Sequence, residues 1–528
     1  MIRIRQVKIP ISNDNNDHLK KKISHILKTK ESDIKSFTII KKSIDARDKN
    51  NILYVYEFDV DTDLENKILS NNNSSDIFLS PKEEYVFPES GNEKLDNKIV
   101  IVGSGPSGLF CSYLLTELGY KPIIIEQGEK VEDRVKTVNK FFETNKLNEL
   151  SNVQFGEGGA GTFSDGKLNT LIKDKMFRGK KVFEIFVENG APEEIMYLQK
   201  PHIGTDILRE VIINMRNKII NRGGEFLYNT KLTNLVIEDN KIIGIEINNK
   251  ERIDCSVLVL AIGHSARDTF YMLNNNHLEM KSKPFAIGLR IEHPSDMINK
   301  SQYGDNYKLL PPASYKLTYQ TSTGRGVYSF CMCPGGFVVN ASSEKNRLVV
   351  NGMSNYKRDE RNSNSAIVVT VDSKDFGNEL FSGIEFQRRL EEKAYDLGKG
   401  FIPVQLYNDF KNNKVSEELG EIIPNTKGKY TLSNLNDLFN KEIVDSIKEG
   451  IDNFGRKIKG FDREDAVLLG IESRTSSPVI IKRNEEFQSN ILGVYPCGEG
   501  AGYAGGITTA AIDGIKVAEE IIKKYKID

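Results

Sequence analysis

The most informative pattern in the sequence lies at residues 98–127, which read KIVIVGSGPSGLFCSYLLTELGYKPIIIEQ. Lys98–Val102 is a short apolar, β-branched run of the kind that forms buried parallel strands. A glycine turn follows, then apolar residues at helical spacing over 110–118, then a second apolar run at Pro122–Ile125. This order of strand, turn, helix and strand predicts a Rossmann βαβ unit that binds a dinucleotide.

The turn has the form G-x-G-x-x-G, and each glycine has a physical role. Gly103 permits the tight turn, Gly105 lets the backbone approach a pyrophosphate, and Gly108 lets the helix pack closely on the strand. The helix N-terminus offers free N–H groups and a positive dipole end to phosphates. The unit closes on Glu126 and Gln127, and Glu126 has the spacing of an acid that reaches ribose hydroxyls. The predicted phosphate-binding residues of the turn are Gly103, Ser104, Gly105, Pro106, Ser107 and Gly108.

Composition limits the classes of function. A chain of 528 residues with a net charge of −1 has room for several domains and shows no overall attraction to nucleic acid or membrane. No apolar run approaches about 18 residues and no signal-peptide core is present, so we expect a soluble, cytoplasmic protein with no membrane partner. Five cysteines without a C-x-x-C pair fit a reducing compartment, and no pattern predicts a metal site.

Residues 1–62 predict a small α+β domain, because strand, helix, strand and strand patterns follow one another as in a ferredoxin-like unit. Residues 1–50 carry 13 Lys or Arg against 6 Asp or Glu. This excess fits either a platform for RNA or an acidic partner, or a solvated face, and we favour the solvated face. Residues 63–97 contain an Asn/Ser run and prolines, which indicate a linker.

The remaining chain divides into three parts. Residues 98–275 predict the first part of the dinucleotide domain, and residues 276–465 predict a β-rich substrate or cap domain with helices over 385–397 and 434–449. Residues 466–528 predict the C-terminal part of the dinucleotide domain, ending in a helix that begins near Gly506. A glycine-dense stretch at 154–167 fits a loop pressed against a flat ligand.

Several long motifs carry a resemblance to a known family. They are SIDAR at 43–47, FGEGGAGTFSDGKL at 155–168, KPHIGTD at 200–206, IEHP at 291–294, SSPV at 476–479 and YPCGEGAGYAGGITTAA at 495–511. The chain resembles the FAD-dependent dehydrogenases often labelled NAD(FAD)-utilising dehydrogenases, within the glutathione-reductase-like flavoprotein superfamily. The resemblance implies an α/β fold: a Rossmann-like FAD-binding domain of the glutathione-reductase type, an inserted β-rich α+β cap and the small N-terminal domain.

The resemblance also implies a cofactor site for noncovalent FAD. Gly103–Gly108 would hold the pyrophosphate, Glu126 the adenosine ribose, and Glu499 the ribityl chain, where related proteins usually carry Asp. The other residues implied to contact FAD are Gly158, Gly159, Ala160, Gly161, Thr162, Leu232, Ala261, Gly263, Gly498, Gly505, Gly506, Ile507 and Thr508. NAD(P)H stays open as an electron donor, although the sequence shows no second complete Rossmann unit.

The predicted function is that of a FAD-dependent oxidoreductase acting on an unidentified small molecule, with the redox chemistry belonging to the flavin. His264 follows a strand end, where it could act as a general acid or base or be a structural histidine. Arg290 is a further candidate for a group on the substrate side of the flavin. Arg474 could bind a carboxylate substrate or the charge of the reduced flavin, or it could form a structural ion pair. Two alternatives stay open: a flavin-dependent RNA-modifying enzyme and a non-catalytic flavin-binding regulator.

Overall fold

The N-terminal segment forms a four-stranded antiparallel sheet in a computed structural model that describes residues 1–170 and 172–527. Its elements are β1 (Ile2–Pro10), α1 (Asn16–Leu27), β2 (Ser36–Asp45), β3 (Leu53–Asp61), α2 (Glu65–Ser70) and β4 (Ile77–Leu79). The sheet order is β2-β3-β1-β4, and the β-α-β-β-α-β sequence of elements is that of a ferredoxin-like unit. Ile23 of α1 and Phe58 of β3 are fully buried in its core.

The segment 63–97 differs from the predicted linker at its start. It contains α2 and β4, and β4 pairs with β1 through Ile2 and Leu79. The physical reason is that β1 would otherwise present an unpaired edge, which β4 covers. Three residues are too short a strand to give a readable alternation in sequence.

The stretch 98–127 begins the next group of elements and folds as its pattern predicts. The elements are β5 (Lys98–Val102), α3 (Pro106–Glu117), β6 (Ile123–Ile125), α4 (Val131–Thr144), α5 (Arg178–Glu188), α6 (Thr205–Asn221), β7 (Glu225–Leu227), β8 (Leu232–Glu238), β9 (Lys241–Ile247), β10 (Glu251–Leu260) and α7 (Arg267–Asn275). Residues Glu251–Leu260 form one long strand, β10. Its first half pairs with β9 and its second half with β5.

The cap comprises a seven-stranded sheet, a smaller three-stranded sheet and covering helices. Its elements, with the two strands that connect it to the α/β part, are β11 (Met280–Ser282), β12 (Phe285–Pro294), α8 (Ser295–Tyr303), β13 (Thr318–Gln320), β14 (Gly326–Cys333), β15 (Phe337–Asn340), β16 (Val350–Met353), β17 (Asn362–Val371), α9 (Ser373–Phe376), α10 (Ser382–Leu397), β18 (Ile402–Leu406), α11 (Tyr407–Lys411), β19 (Thr426–Lys427), β20 (Tyr430–Leu432), α12 (Lys441–Lys457), β21 (Val467–Glu472) and β22 (Val479–Ile481). The large sheet has the order β13-β14-β17-β12-β21-β18-β20, and the small one β16-β15-β19.

Two details of the cap differ from the sequence prediction. β21 lies in the large cap sheet between β12 and β18, although its residues were expected in the dinucleotide domain; a buried apolar strand carries no sequence mark of the sheet it joins. The second predicted helix begins at Lys441 instead of near 434, because the Asn440 side chain accepts a hydrogen bond from the Ile443 N–H (3.0 Å) and caps the helix there.

The chain then returns to the α/β part with β23 (Val494–Pro496) and α13 (Ile507–Lys524). The parallel strands take the order β7-β6-β5-β10-β23, the 3-2-1-4-5 arrangement of a doubly wound sheet. α13 packs closely against α3 at Gly514, where a Cβ would collide with the Ser107 carbonyl. Within α3, a Cβ at Gly108 would collide with the Gly103 carbonyl of the preceding turn. Across residues 1–170 and 172–527, no helix combines the length and apolarity needed to cross a membrane.

Candidate functional site

A cavity of about 610 Å³ lies between the carboxyl ends of the parallel strands and the cap sheet. Its dinucleotide end is lined by the turn at Gly103–Ser107 and by Glu126, Leu232 and Gly263. Its cap end is lined by Lys167, Lys200, the 314–316 segment, the 329–333 segment of β14 and Asn351. Ligands of open α/β sheets bind at this edge, where the strand order reverses, here between β5 and β10.

Glycines leave space along the wall of the cavity. A Cβ at Gly263 or Gly505 would meet no protein atom within 4 Å, and one at Gly105 would meet only the Gly159 Cα, at 3.7 Å. All three glycines line the cavity, so a side chain at any of them would occupy space that a ligand could fill. These residues therefore fit a large ligand that lies directly on the backbone.

Two helix N-termini are directed at the same cavity. α3 begins at Pro106, whose missing N–H suits the first helical position, and α13 begins at Ile507 after Gly506. Pro106, Gly506 and Ile507 all line the cavity. The free N–H groups and positive dipole ends of these helices favour phosphate and other anionic groups there.

Glu126 ties together three loops around the dinucleotide end. Its Oε2 accepts hydrogen bonds from the Ser104 backbone N–H (3.0 Å) and hydroxyl (2.8 Å), and its Oε1 accepts the N–H groups of Gly128 and Gly156 (both 3.0 Å). These four bonds match the roughly four acceptor sites of a carboxylate. Glu126 therefore stabilises the arrangement of these loops through its four hydrogen bonds. Its contact with a ribose stays a prediction.

The glycine-dense loop is held in shape by a buried arginine. Arg134 of α4 donates to the carbonyls of Gly156 (3.1 Å), Glu157 (2.7 Å) and Gly159 (2.8 Å), and to two more carbonyls at 152 and 153. The Gly158 N–H donates to the Ser104 carbonyl at 2.9 Å, which fixes the loop against the first glycine turn. The prediction of a loop pressed toward a ligand fits this geometry, while the role of Arg134 was not visible in sequence.

His264 follows β10, as predicted, and lines the cavity. Its Nδ1 lies 2.9 Å from the Ser265 hydroxyl. Burial, together with the positive charges of Arg474 and Arg267, lowers the pKa of His264 to about 3. A histidine with this pKa is neutral at physiological pH, and its role as a general acid or base stays a prediction.

Arg474 lines the cavity but is fully engaged by the protein. Its Nε and Nη2 donate to the two oxygens of Glu391 (3.0 and 2.8 Å), and its Nη1 donates to Ser343 (2.6 Å) and Ser265 (3.0 Å). Arg267 also donates to both Glu391 oxygens. Burial opposes ionisation of Glu391, but the two guanidinium groups outweigh it and hold its pKa well below the usual range. The structure shows the ion pair that the sequence allowed for Arg474, and contact of Arg474 with a substrate or a reduced flavin stays a prediction.

Arg290 does not line the cavity. It is completely buried in β12, where its Nε donates to Glu472 (2.9 Å) and its Nη1 to Asn364 (2.6 Å). Glu472 does line the cavity, so Arg290 acts as a positioning residue for that carboxylate.

Glu499 reaches the cavity from the loop after β23. Burial raises the pKa of its carboxyl group to about 7, and Lys283 offsets part of this effect. An acid at this place fits a ligand that carries hydroxyl donors.

Comparison with known proteins adds to this geometry. Residues 284–475 match a family model described as FAD-dependent protein, C-terminal domain-like, and residues 1–61 match a domain of unknown function (DUF8436). An uncharacterised protein of Clostridium beijerinckii is 49% identical over 533 residues, which cover 100% of this chain and 99% of that protein. The chain belongs to the family of this clostridial protein. The match over 284–475 confirms the prediction of FAD as the family's cofactor.

Solved structures also resemble the chain at low identity. A glycine oxidase from Bacillus cereus is 11% identical with a TM-score of 0.35, and covers 81% of this chain and 95% of its own. An L-proline dehydrogenase from P. horikoshii is 14% identical with a TM-score of 0.33, and covers 83% and 96%. At TM-scores this low, the two likenesses carry no weight for the family's function.

Most residues predicted to contact FAD do line the cavity. They are Gly103, Gly105, Pro106, Ser107, Glu126, Gln127, Gly159, Ala160, Gly161, Leu232, Ala261, Gly263, Glu499, Gly505, Gly506 and Ile507. The remainder do not line the cavity. They are Ser104, Gly108, Gly158, Thr162, Gly498 and Thr508. Thr508, for example, is buried and its hydroxyl donates to the Leu168 carbonyl (2.8 Å), so its side chain does not face the cavity.

The sequence prediction missed the charged residues of the cap end. Asp165, Lys167 and Lys200 line it, together with Lys316 and Asn351. A signal existed for the first three, because they belong to the FGEGGAGTFSDGKL and KPHIGTD motifs that carry the family resemblance. No pattern marked Lys316 or Asn351, which only the folding of the cap brings to the cavity.

Proposed function

We propose that the protein is a FAD-dependent oxidoreductase of the glutathione-reductase-like superfamily, acting on an unidentified small molecule. The observation that carries this proposal is the single cavity that joins a glycine-built dinucleotide end to a charged cap end. One end suits a cofactor that must be held throughout turnover, and the other leaves room for a substrate beside it. FAD, when bound, supplies the capacity to accept and return a pair of electrons.

The residues of the chain would divide the work of binding. The first turn of α3, with Gly105 and Ser107, would receive the pyrophosphate, and Leu232 at the start of β8 would meet the adenine. Glu499 would accept hydrogen bonds from the ribityl hydroxyls. The N-terminus of α13 would favour negative charge on the flavin ring edge, because its free N–H groups and dipole act there together.

The domain layout follows the same proposal. Residues 1–62 together with α2 and β4 would form the N-terminal domain, and the rest of 63–97 would be a connection. Residues 98–275 and the chain after β21 would form the FAD domain around an inserted cap that includes β21. Two features support a cap that is fixed beside the cavity. β11 and β22 pair with each other where the chain enters and leaves the cap, and β21 of the cap sheet ends at Glu472, which lines the cavity. A cap held by two paired strands keeps the substrate end in register with the cofactor end.

Purified protein tests the cofactor proposal directly. We expect yellow protein that releases FAD, and not FMN, on denaturation. Colourless protein that cannot be reconstituted with FAD would contradict the proposal. Anaerobic mixing of the FAD-loaded protein with a metabolite library tests the oxidoreductase class, since a substrate bleaches the flavin absorbance. Failure of every metabolite and of both nicotinamide nucleotides to bleach it would favour a non-catalytic flavin-binding protein.

A further inference from the structure

The cap end of the cavity holds more positive than negative charge. Arg358 pairs with Asp165, with its Nε 2.9 Å from Oδ1, and the Lys167 Nζ lies 3.7 Å from Oδ2 of the same carboxylate. The Lys200 Nζ donates to the Ser314 hydroxyl at 3.0 Å, a neutral partner. Arg358 and Lys167 thus share one carboxylate. Lys200 has only its neutral partner, and Lys316 adds a further positive charge on the cavity wall.

Backbone hydrogen bonds place these cations together. The segments 166–168 and 201–203 run antiparallel, with the Leu168 N–H bonded to the Pro201 carbonyl and the Ile203 N–H to the Gly166 carbonyl, both at 3.0 Å. Lys167 and Lys200 therefore project from two chain segments that are fixed side by side. The Thr205 N–H donates to the Ser354 carbonyl at 2.9 Å, which ties in the loop that carries Arg358.

Burial and electrostatic repulsion within this group both act on Lys200. Surrounding protein lowers the pKa of its ammonium group, and the charges of Arg358 and Lys167 lower it further. Like charges held close in a partly enclosed site destabilise one another unless an anion enters.

The other cations near the cavity already have partners. Arg474 and Arg267 share Glu391, and Arg290 is bonded to Glu472. The phosphates of the cofactor have their own place at the helix N-termini of the dinucleotide end. The excess charge of the cap end is therefore left for a different ligand.

We propose that the substrate presents a doubly charged anionic group, a pair of carboxylates or a phosphate, to Lys167 and Lys200 at the cap end. This inference rests on the proposed function, because it assigns the cap end to the substrate of the flavin site. Two positive charges on adjacent backbone segments match two negative charges on one small molecule. Asp165, whose carboxylate is bonded to Arg358, lines the same end of the cavity.

The test uses FAD-loaded protein and two anionic probes at constant ionic strength, since salt screens such contacts. Succinate and inorganic phosphate are titrated separately, with succinamide as the neutral control, and the flavin difference spectrum and calorimetry report binding. We expect one of the two anions to bind and succinamide not to bind. Binding of succinate would identify the anionic group of the substrate as a pair of carboxylates, and binding of phosphate would identify it as a phosphate.

Variants then assign the binding to the lysines. Lys200→Met and Lys167→Met should each weaken the anion at least tenfold, about 1.4 kcal/mol, while Lys200→Arg retains most of the affinity. Lys281→Met, at an exposed strand position outside the cavity lining, is the matched control and should change nothing. FAD content and the flavin spectrum of each variant verify its fold.

The failures of the two proposals are separable. Protein that retains FAD but binds neither anion up to about 10 mM, well above usual KM values, would overturn this inference and leave the oxidoreductase proposal intact. Equal binding of succinamide, or unchanged anion binding in both Met variants, would overturn it as well. Protein that cannot bind FAD at all would remove the basis of both.

Discussion

At the dinucleotide end, the cavity wall is backbone: glycines such as Gly105 and Gly263 and the first turns of α3 and α13. At the cap end, the wall includes the side chains of Lys167 and Lys200, held on paired segments, and of Asp165. A backbone wall offers the same N–H groups whatever the substrate, so it suits a constant cofactor. A side-chain wall can differ between related proteins without disturbing the fold, so it suits the determination of specificity.

The largest effect on cofactor binding should come from filling the backbone wall. Gly105→Val places a side chain into the open space where a pyrophosphate would lie, at a backbone conformation that valine tolerates (φ −71°). We expect FAD binding to weaken at least a hundredfold, about 2.8 kcal/mol, measured by fluorescence titration of the apoprotein, with the melting temperature of the apoprotein nearly unchanged.

Gly108→Val is the contrasting variant. Its Cβ would collide with the Gly103 carbonyl, inside the protein and not in the cavity. It should lower the apoprotein melting temperature through overpacking, which typically costs about 1–3 kcal/mol. If Gly105→Val and Gly108→Val change FAD binding and the apoprotein melting temperature alike, then Gly105 does not face the cofactor while Gly108 faces the protein interior, and the contrast is wrong.

The second effect concerns the charges behind the side-chain wall. Glu391→Gln leaves Arg267 and Arg474 buried without their shared carboxylate. Removing one partner of a buried ion pair costs about 3–5 kcal/mol, so we expect a loss of that size in the free energy of unfolding by urea. Glu392→Gln is the control, since its pair with Arg347 is half exposed and worth about 0–1 kcal/mol. Equal effects would show that the buried network is not structural.

The third effect is a loss of stability at low pH that follows from the lowered pKa of His264, which lines the cavity. Its pKa in the folded protein, about 3, is below the unfolded value of 6.5, because of burial and the charges of Arg474 and Arg267. Its contribution to stability is therefore complete above pH 6.5 and falls as the pH drops toward 3, by up to about 1.4 kcal/mol per unit.

Histidine NMR on ¹⁵N-labelled, FAD-loaded protein checks this, and the chain has only 6 histidines to assign. The His264 signal, identified by its loss in His264→Gln, should show a neutral ring at pH 5. A titration near pH 6.5 would restore the general acid or base role that the sequence left open.

The smallest effect is expected at Cys331 and Cys333. Both line the cap end, where an irregularity of β14 at Cys331 (φ +42°) interrupts the alternation of the strand. The surrounding protein raises the pKa of the Cys331 thiol to about 12, so the reactive thiolate is scarcely populated at neutral pH. Replacing both with Ser should leave flavin reduction and reoxidation rates, measured by stopped flow, within a few-fold. A loss of about a hundredfold would instead indicate a redox dithiol coupled to the flavin.

The sequence by itself determined the backbone end. Strand, glycine turn and helix are local, and Gly103–Gly108 must fulfil their roles within a few residues of one another, so their spacing is legible without the fold. The same locality made β5, α3 and β6 predictable almost to the residue.

Only the tertiary structure decided which charged side chains come together at the cap end of the cavity. Lys200 meets Lys167 because two segments more than 30 positions apart pair through their backbones, and Arg474 meets Glu391 because a cap helix packs against the end of β21. The sequence left Arg474 open between substrate binding and an ion pair, since an isolated arginine has the same pattern in both roles. The partner of Arg474 is fixed by long-range packing, and the sequence around Arg474 contains no pattern that identifies Glu391 as that partner.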